Sequence, residues 1–301
     1  MISLASGTYT FTAKLPTITG AVSLVGPATG DPAVLDGSAI ETLEIVNVTG
    51  SNASFEHLSF LTKLVPALIA QSTAANGTVS HCSFAGGTNS AILGKGCANW
   101  IIDANTFRSV AGSDATAQPA IRFYEGATGT IVEDNLFLNC DRGIALGKGS
   151  SSTQSGGKIQ NNFFADNRTT GAFPGAAISL ESASNSEVDN NTIYQAGSYA
   201  HSIEYRYAST GSVVQNNLTN KSIAAFDGCT ATLNTNYTQT EASFFVDVAA
   251  CDLHLASAIA GVVGCGTSLP ALPVDIDGDS RPSAAPIDIG ADQYIAGAAV
   301  P

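Results

Sequence analysis

The 301-residue sequence predicts an all-β fold, a right-handed parallel β-helix (β-solenoid) with three short strands per coil. One observation is a short motif that recurs about every 20 to 30 residues, the period of solenoid repeats. Another is the lack of any helical pattern between the copies. A third is the composition, because 30 glycines and only 12% charged residues suit short strands joined by tight turns.

The recurring motif is an apolar–polar–apolar run followed by Asn, any residue and an apolar residue. It is clearest in residues 131–137, 159–164 and 188–193, and residues 101–107 and 213–218 also match. Its apolar anchors are spaced by 24, 23, 30, 27 and 29 residues, and they are Phe60, Phe84, Phe107, Phe137, Phe164 and Ile193. A leucine-rich repeat has a similar period, but it needs a framework of leucines and a helical segment in each repeat, and this sequence lacks both.

The Asn of each motif has a physical reason to recur at a corner of the coil. Asparagine tolerates the left-handed backbone conformation of a tight turn, and its amide can hydrogen-bond to the copies in the coils above and below. We therefore interpret the Asn-x-Ser/Thr sequences of this chain as members of such ladders rather than as glycosylation sites.

A second strand follows each Asn corner, and its period of two assigns an inward and an outward face. The predicted inward columns are Ile121, Ile144, Ile178, Ile203 and Ile223, and Phe123, Leu146, Leu180 and Tyr205. The predicted outward columns are Arg122, Ser179 and Glu204, and Tyr124, Glu181, Arg206 and Phe226.

Charge and hydropathy exclude several function classes. The net charge of −13 and the pI near 4.5 argue against nucleic acid as a partner, because phosphate binding needs a basic surface. No apolar run reaches the ~18 residues that span a bilayer, so no transmembrane segment is expected. The first seven residues lack the basic and apolar regions of a signal peptide, and we expect that a leader is absent from this chain.

The cysteines and histidines carry no recognisable metal or redox motif. None of the six cysteines forms a Cys-x-x-Cys pair, and Cys251 and Cys265 flank a loop in which they are either free thiols or a disulfide. His57, His81 and His254 fall in apparent strands, and we interpret them as structural residues.

The repeats resemble the pectate-lyase-like superfamily of right-handed parallel β-helices over about residues 1–250. The tail resembles the choice-of-anchor Q segment of bacterial surface β-helix proteins in residues 252–255, 275–282 and 288–294. The resemblance implies a β-helix at 1–250 and an anchor-type segment at 251–301 packed on the solenoid end. It also implies a secreted or cell-surface bacterial protein with polysaccharide as its partner, and we expect a monomer.

The tail also carries three alternating carboxylates, Asp275, Asp277 and Asp279, which could bind Ca²⁺. The order of residues lacks the glycine and glutamate positions of an EF-hand loop, so that match fails. The alternative is a capping turn in which Arg281 pairs with one of these carboxylates or with Asp288. We therefore expect no metal or cofactor, with Ca²⁺ as the remaining alternative.

Basic residues concentrate on one face. Of the 12 lysines and arginines, five fall on or beside the outward side of the second strand set, and they are Arg122, Arg142, Lys148, Arg206 and Lys221. The guanidinium group of arginine binds carboxylates with two parallel hydrogen bonds, and tyrosine rings stack on sugars. The predicted substrate-binding set is Arg122, Tyr124, His201, Arg206 and Lys221.

Two reactions are open on this face. β-Elimination from a uronate needs a base, for which we consider Arg142 or Lys148. It also needs a cation on the carboxylate, for which we consider Arg122 or Arg206. Hydrolysis needs two carboxylates, and Glu181 and Glu204 are predicted to lie ~5–7 Å apart on adjacent coils. The predicted catalytic set is Arg142, Lys148, Glu181 and Glu204.

The same residues have a purely structural alternative as cross-strand ion pairs, Arg122 with Glu204 or Glu181 with Arg206. Exposed pairs of this kind contribute ~0–1 kcal/mol each. The predicted function is an exported lyase or hydrolase of a uronate-containing glycan. The alternatives are a glycan-binding module without turnover and a non-catalytic structural or adhesion module of the cell surface. A groove with unpaired charges favours the enzyme, and closed ion pairs favour the structural module.

Overall fold

The computed structural model describes residues 1–110, 118–169, 175–197 and 200–297. The regular structure of these residues is almost entirely β-strand, and their one helix is a single 3₁₀ turn at Ala242–Phe244. Within the same residues, no helix is long and apolar enough to cross a bilayer. Parallel strands build three long sheets, which confirms the predicted parallel β-helix with three strands per coil. Residues 298–301 of the predicted tail lie outside the described residues.

Each coil passes through sheet 1, sheet 2 and sheet 3 in turn. Sheet 1 contains Ile2–Ser3, Ser23–Val25, Ser54–Glu56, Thr78–Ser80, Ile101–Asp103, Ile131–Glu133, Lys158–Gln160, Glu187–Asp189, Ser212–Gln215 and Ala231–Asn234. Sheet 2 contains Gly7–Thr10, Ala33–Asp36, Leu58–Leu61, Ser83–Ala85, Thr106–Arg108, Leu136–Leu138, Phe163–Asp166, Thr192–Gln195 and Leu218–Thr219. Sheet 3 contains Val46–Val48, Leu68–Ala70, Ile92–Lys95, Ile121–Tyr124, Ile144–Gly147, Ile178–Glu181, His201–Arg206 and Ser222–Ala225.

Two smaller sheets complete the described strands. A three-stranded parallel sheet lies between sheets 3 and 1 along the chain and contains Ala127–Thr128, Gln154–Ser155 and Ala183–Ser184. An antiparallel hairpin follows the last coil and contains Phe245–Asp247 and Asp252–Leu255.

The coils stack with equivalent residues in register, so that like side chains lie above one another. Five phenylalanine rings form a continuous stack from Phe60 to Phe164 through Phe84, Phe107 and Phe137. Consecutive ring centroids are 4.9, 4.9, 4.9 and 4.5 Å apart, close to the distance between neighbouring strands. The isoleucine column of sheet 3 is also in register, which confirms the predicted inward face.

A buried asparagine ladder runs along the corner between sheets 1 and 2. Its members are Asn105, Asn135, Asn162, Asn191, Asn217 and Asn236. The side-chain oxygen of Asn191 accepts the backbone N–H and the Nδ2–H of Asn162, at 3.1 and 2.9 Å. Nδ2 of Asn162 also donates to the carbonyl of Val132 at 2.9 Å. Each amide therefore satisfies polar groups of its own coil and of the neighbouring coils, although it is buried.

The residue before each ladder asparagine holds the left-handed turn. The backbone angle φ is 55° at Asp134, 52° at Asn161, 49° at Asn190 and 54° at Asn216. We expected one asparagine to supply both the turn and the ladder. The structure divides these roles between two neighbouring residues.

Two histidines occupy the same corner position in earlier coils. His57 and His81 have φ angles of 54° and 52°, and each lies between a strand of sheet 1 and a strand of sheet 2. The prediction that they lie within strands is wrong, because each supplies the left-handed corner residue that directly follows a strand of sheet 1. His254 does lie in a strand, Asp252–Leu255, as predicted.

The residues after the last coil pack along the outer side of sheet 2. Phe245 and Leu255 of the hairpin belong to a second apolar core that contains Leu138 and Phe163 of sheet 2. The ring of His254 contacts the ring of Phe163 edge to face, with centroids 5.1 Å apart. The hairpin spans the predicted boundary at residue 250, and the division of the chain into two units stays a prediction.

The left-handed corner asparagines hold the tail segment by its backbone. Nδ2 of Asn161 donates to the carbonyl of Val274 at 2.9 Å. Nδ2 of Asn190 donates to the carbonyl of Gly290 at 2.9 Å, and Nδ2 of Asn216 donates to a third carbonyl, that of Thr267, at 2.8 Å. Three successive coils therefore each bind the tail through one amide.

The aspartates of the tail form a turn. One oxygen of Asp275 accepts the backbone N–H groups of Asp277 and Asp279 at 3.0 and 2.8 Å. Arg281 is buried and donates to the side-chain oxygen of Asn161 at 3.1 Å and to the carbonyl of Gly290 at 3.0 Å. The capping turn is therefore present. The arginine holds it through neutral oxygens rather than through the carboxylate pair that we expected.

All six cysteines are free thiols, including Cys251 and Cys265, for which both states were open. Burial raises the pKa of Cys82, Cys97 and Cys140 to about 12, so these three are protonated core residues at neutral pH.

The buried ladder yields a stability prediction. Asn162→Ala leaves the buried partners in two neighbouring coils without hydrogen bonds, so we expect the free energy of unfolding to fall by about 3 kcal/mol. Asn76→Gly is the matched control, because Asn76 lies in an exposed corner ladder and glycine tolerates its φ of 54°. We expect a change within about 0.5 kcal/mol there. Equal losses in the two variants, measured by urea denaturation, would contradict the role of the buried ladder.

The tail yields a prediction for pH. His254 lies between Asp252 and Asp277, with Nε2 3.0 Å from the latter carboxylate. Burial lowers the pKa of His254, but the hydrogen bonds and charges of the two aspartates outweigh it and raise the pKa to about 9. In the unfolded chain the pKa is about 6.5. The interaction of charged His254 with the two aspartates therefore stabilises the fold fully below about pH 6.5, and this stabilisation is lost as the pH rises through about 9. Unfolding free energies from pH 6 to pH 10 should fall less steeply in His254→Gln than in the wild type, and equal slopes would contradict the prediction.

Candidate functional site

The outer face of sheet 3 presents the two predicted outward columns. In one, Arg122, Ala145, Ser179 and Glu204 are aligned in register. In the other, Gly147 pairs with Glu181, which pairs with Arg206, and Tyr124 occupies the equivalent place one coil earlier. The sequence therefore predicted which side chains share this face.

Glu181 is the centre of a buried ion network on this face. Its Oε2 lies 3.3 Å from NH1 of Arg122, and its Oε1 lies 2.9 Å from NH2 of Arg142. The backbone N–H of Gly149 donates to Oε2 at 2.8 Å. Arg122 is only 4% exposed and Glu181 8%, so this network is screened little by water.

The predicted ion pairs were wrong in their partners. Arg122 pairs with Glu181 rather than Glu204, and Arg206 lies 4.0 Å from Glu204 and 3.6 Å from Asp227. Glu204 also accepts a hydrogen bond from Ser179 at 3.0 Å. The pair of Arg122 and Glu181 therefore runs diagonally across coils, whereas the contact of Ser179 with Glu204 lies within one column.

The diagonal pair depends on two small residues in the coil between the partners. Ala145 and Gly147 stand between Arg122 and Glu181, and NH1 of Arg122 donates to the carbonyl of Gly147 at 3.0 Å. Gly147 has a φ of 82°, and a Cβ atom there would lie 1.7 Å from the carbonyl oxygen of Glu181. A residue with a side chain at 147 would therefore collide with the backbone of the next coil, on which Glu181 lies.

The network fixes the ionisation of Glu181. Burial raises the pKa of its carboxyl group, but the charges of Arg122 and Arg142 and the hydrogen bond from Gly149 together hold the pKa below its usual value. Glu181 is therefore an ionised partner of the two arginines at neutral pH, which disfavours it as a proton donor. Its catalytic assignment stays a prediction.

A pocket of about 370 Å³ opens beside the network. Arg122, Tyr124 and Lys148 line it together with four residues that we did not predict, which are Thr88, Asn89, Leu93 and Gln118. Nζ of Lys148 lies 5.3 Å from the centroid of the Tyr124 ring, within cation–π distance. Across the described ranges of the chain, no carboxylate lies within 4.0 Å of Lys148 Nζ. The pocket is therefore polar and cationic.

Three of the four unpredicted wall residues come from outside the regular strand pattern. Thr88, Asn89 and Gln118 precede strands of sheet 3, where no repeat is present in the sequence. Leu93 is in register with Arg122, so the alignment of the outward column could have located it. Lys95, one place beyond the pocket, is in register with Tyr124.

The remaining predicted residues lie further along sheet 3 and form a separate group. The guanidinium group of Arg206 lies 4.8 Å from the ring centroid of Tyr207 and 5.0 Å from that of Phe226. Nδ1 of His201 is 2.7 Å from the hydroxyl of Ser222. Lys221 directly precedes the strand Ser222–Ala225. None of His201, Arg206 and Lys221 lines the 370 Å³ pocket.

A second pocket of about 290 Å³ lies between the corner of sheets 1 and 2 and the tail. Asp134, His254 and Asp277 supply its charged groups, and Phe163 and Ile276 are among its apolar ones. Burial, with the charge of Glu133, raises the pKa of Asp134 to about 7. No sequence signal distinguished Asp134 from the other corner residues.

Two clusters of described residues have the atoms to hold a metal ion. Asp275, Asp277 and Asp292 bring one oxygen each within 4.8 Å of the others, but Asp275 already accepts three backbone N–H groups. Glu56, His57 and His81 form the second cluster, with ligand atoms within the same distance.

Comparison with known families decides the classification of the fold. A family model described as the right handed beta helix region matches residues 69–245. The chain belongs to this right-handed β-helix family. No matching relative was found among curated protein sequences. The anchor-type segment predicted for the tail of this β-helix protein is not matched by the family model, and it stays a prediction.

Solved structures similar to this β-helix protein include two lyases and an adhesin. Pectate lyase Pel9A superposes with a TM-score of 0.61 at 14% identity, over 97% of this chain and 87% of its own. A rhamnogalacturonan lyase has a TM-score of 0.50 at 11% identity, over 81% and 82%. PfbA, a surface adhesin of Streptococcus pneumoniae, has a TM-score of 0.48 at 13% identity, over 79% and 68%. At these identities the likeness to the two lyases shows a shared fold.

The ion network yields a stability prediction. Glu181→Gln leaves the buried guanidinium group of Arg122 and the partly buried one of Arg142 without their counter-charge, so we expect a loss of about 3 kcal/mol in the free energy of unfolding. Glu187→Gln removes the carboxylate of an exposed pair with Lys158 and should change it by less than about 1 kcal/mol. Denaturation of both variants at low salt is the measurement, and a loss at Glu181 no larger than at Glu187 would contradict it.

Proposed function

We propose that this β-helix protein binds a uronate-bearing polysaccharide in the 370 Å³ pocket on sheet 3 and cleaves it by β-elimination. The observation that carries the proposal is the convergence of Arg122, Tyr124 and Lys148 in one pocket, in a chain whose net charge is −13. A chain this acidic repels polyanions in general, so a local cationic pocket is needed for an acidic glycan. The superposition with polysaccharide lyases agrees with this substrate class without establishing it.

The charges of the pocket suit a carboxylate ligand. Arg122 and Arg142 share the single carboxylate of Glu181, which leaves one positive charge of the three groups uncompensated. A sugar carboxylate bound here would be stabilised by this uncompensated charge, and the stabilisation grows as charge develops on the carboxylate during elimination.

Elimination fits these residues better than hydrolysis does. In this reaction the C5–H bond and the C4–O bond break and a C4–C5 double bond forms. A base takes the C5 proton, and the leaving oxygen takes a proton from water. Of the two candidate bases, Arg142 pairs with Glu181 and Lys148 lines the pocket, so we assign the base to Lys148. Hydrolysis would need a protonated carboxylic acid, and Glu181 is held ionised.

The test uses oligouronates and a matched pair of lysine variants. Wild-type protein should release products with the absorbance of unsaturated ends, and Lys148→Ala should lower the rate by about 100-fold or more. Lys158→Ala removes the same charge from sheet 1 and should leave the rate unchanged, because Lys158 pairs with Glu187 away from the pocket. Reducing-sugar release without unsaturated ends would indicate hydrolysis, and a rate unaffected by Lys148→Ala would contradict the assignment of the base.

A second candidate function is a non-catalytic surface or adhesion module. The observation in its favour is that Arg122, Arg142 and Glu181 close on one another and that Arg206 lies between Tyr207 and Phe226. These contacts stiffen the face without any ligand. Absence of both glycan binding and product over a panel of uronate polysaccharides would favour this candidate. Secretion and attachment to the cell surface stay predictions under either candidate.

A further inference from the structure

In the early coils, the corner between sheets 1 and 2 carries histidine side chains where the later coils have other residues. His57 and His81 occupy the left-handed position that Asn161, Asn190 and Asn216 occupy further along. A left-handed corner residue points its side chain away from the core, and the coil repeat places equivalent side chains one strand spacing apart. The two imidazole rings accordingly lie with centroids 5.0 Å apart and are tilted by 44°.

A carboxylate completes the group. Glu56 ends the strand Ser54–Glu56 and lies next to the corner, with Oε1 3.4 Å from Nε2 of His57. One ligand atom each from Glu56, His57 and His81 lies within 4.8 Å of the other two. Tetrahedral ligands at zinc distances are about 3.3 Å apart, so the separations within the group need to shorten by at most about 1.5 Å. These side chains are partly or fully exposed, and rotation about their bonds supplies such shifts.

The donor set identifies the class of ion. Two imidazole nitrogens and one carboxylate oxygen suit zinc-type transition ions, whereas Ca²⁺ and Mg²⁺ prefer oxygen ligands alone. Asp103 adds a negative charge that acts on His81 from the next coil. Three protein ligands leave a fourth tetrahedral position for water or for an external ligand.

We propose that Glu56, His57 and His81 form a binding site for one divalent transition-metal ion of the zinc type. The site is built from two consecutive coils, so the ion links them. It lies on the corner of sheets 1 and 2 and shares no residue with the pocket on sheet 3. His57 and His81 are 24 residues apart in the sequence, so the unfolded chain does not hold the three ligands together. Binding of the ion therefore stabilises the folded chain.

The test is titration of the intact protein with Co²⁺, whose visible absorbance is intense in tetrahedral sites and weak in octahedral ones. We expect saturation at one ion per chain with the intense spectrum, and competition by Zn²⁺. His57→Asn and His81→Asn are the informative variants, because asparagine occupies this corner in other coils and preserves the turn. Loss of an outer-shell partner of a metal ligand already lowers affinity about 10–100-fold, so each variant should lose at least about 10-fold.

His201→Asn is the matched control. His201 is a histidine of sheet 3 that contacts Ser222, and its replacement should leave Co²⁺ affinity unchanged. Zn²⁺ should raise the melting temperature of the wild type and of His201→Asn but not that of the two corner variants. An octahedral spectrum, or an affinity that is the same in the wild type and in either corner variant, would show a non-specific surface cation and overturn the proposal.

Discussion

The structure depends on one constraint, which is that each side chain must pack against the side chain at the equivalent position of the next coil, about 4.8 Å away. Apolar side chains meet it by stacking, as the phenylalanine rings from Phe60 to Phe164 do. A buried polar side chain meets it only if it both donates and accepts. The amide of asparagine does so, and Asn105 to Asn236 form an unbroken ladder. An aspartate at these positions would still accept from the backbone N–H of the neighbouring coil, but it could not donate to a carbonyl or to the next side chain as the asparagine amide does.

The same constraint governs where charge can be placed on sheet 3. In the column that contains Arg122 and Glu204, Ala145 and Ser179 separate the two charged side chains. Ala145 and Gly147 lie in the coil between Arg122 and Glu181, and these two charged side chains meet across that coil. The candidate site is thus a local departure from the repeat, and its chemistry follows from which side chains are missing as much as from which are present.

The parts of the fold that repeat could be predicted from the sequence, because each copy of the motif reports the same geometry. The inward columns and the outward alignment of Arg122 and Glu204 are examples. The pairing of Arg122 with Glu181 could not be predicted, because it crosses an intervening coil, where Arg122 also donates to the backbone carbonyl of Gly147. The corner position of His57 was missed, because it differs from a strand position by one residue.

The asparagine doublets at 161–162, 190–191 and 216–217 join two kinds of contact within a single turn. The second residue of each belongs to the ladder, and the first binds the tail. Earlier ladder members follow Ala104 or Asp134 instead. A solenoid in which coils contact only their neighbours can fray one coil at a time from its end. A backbone segment fastened to three successive coils removes that freedom, so the last third of this solenoid should open as one cooperative unit and not coil by coil.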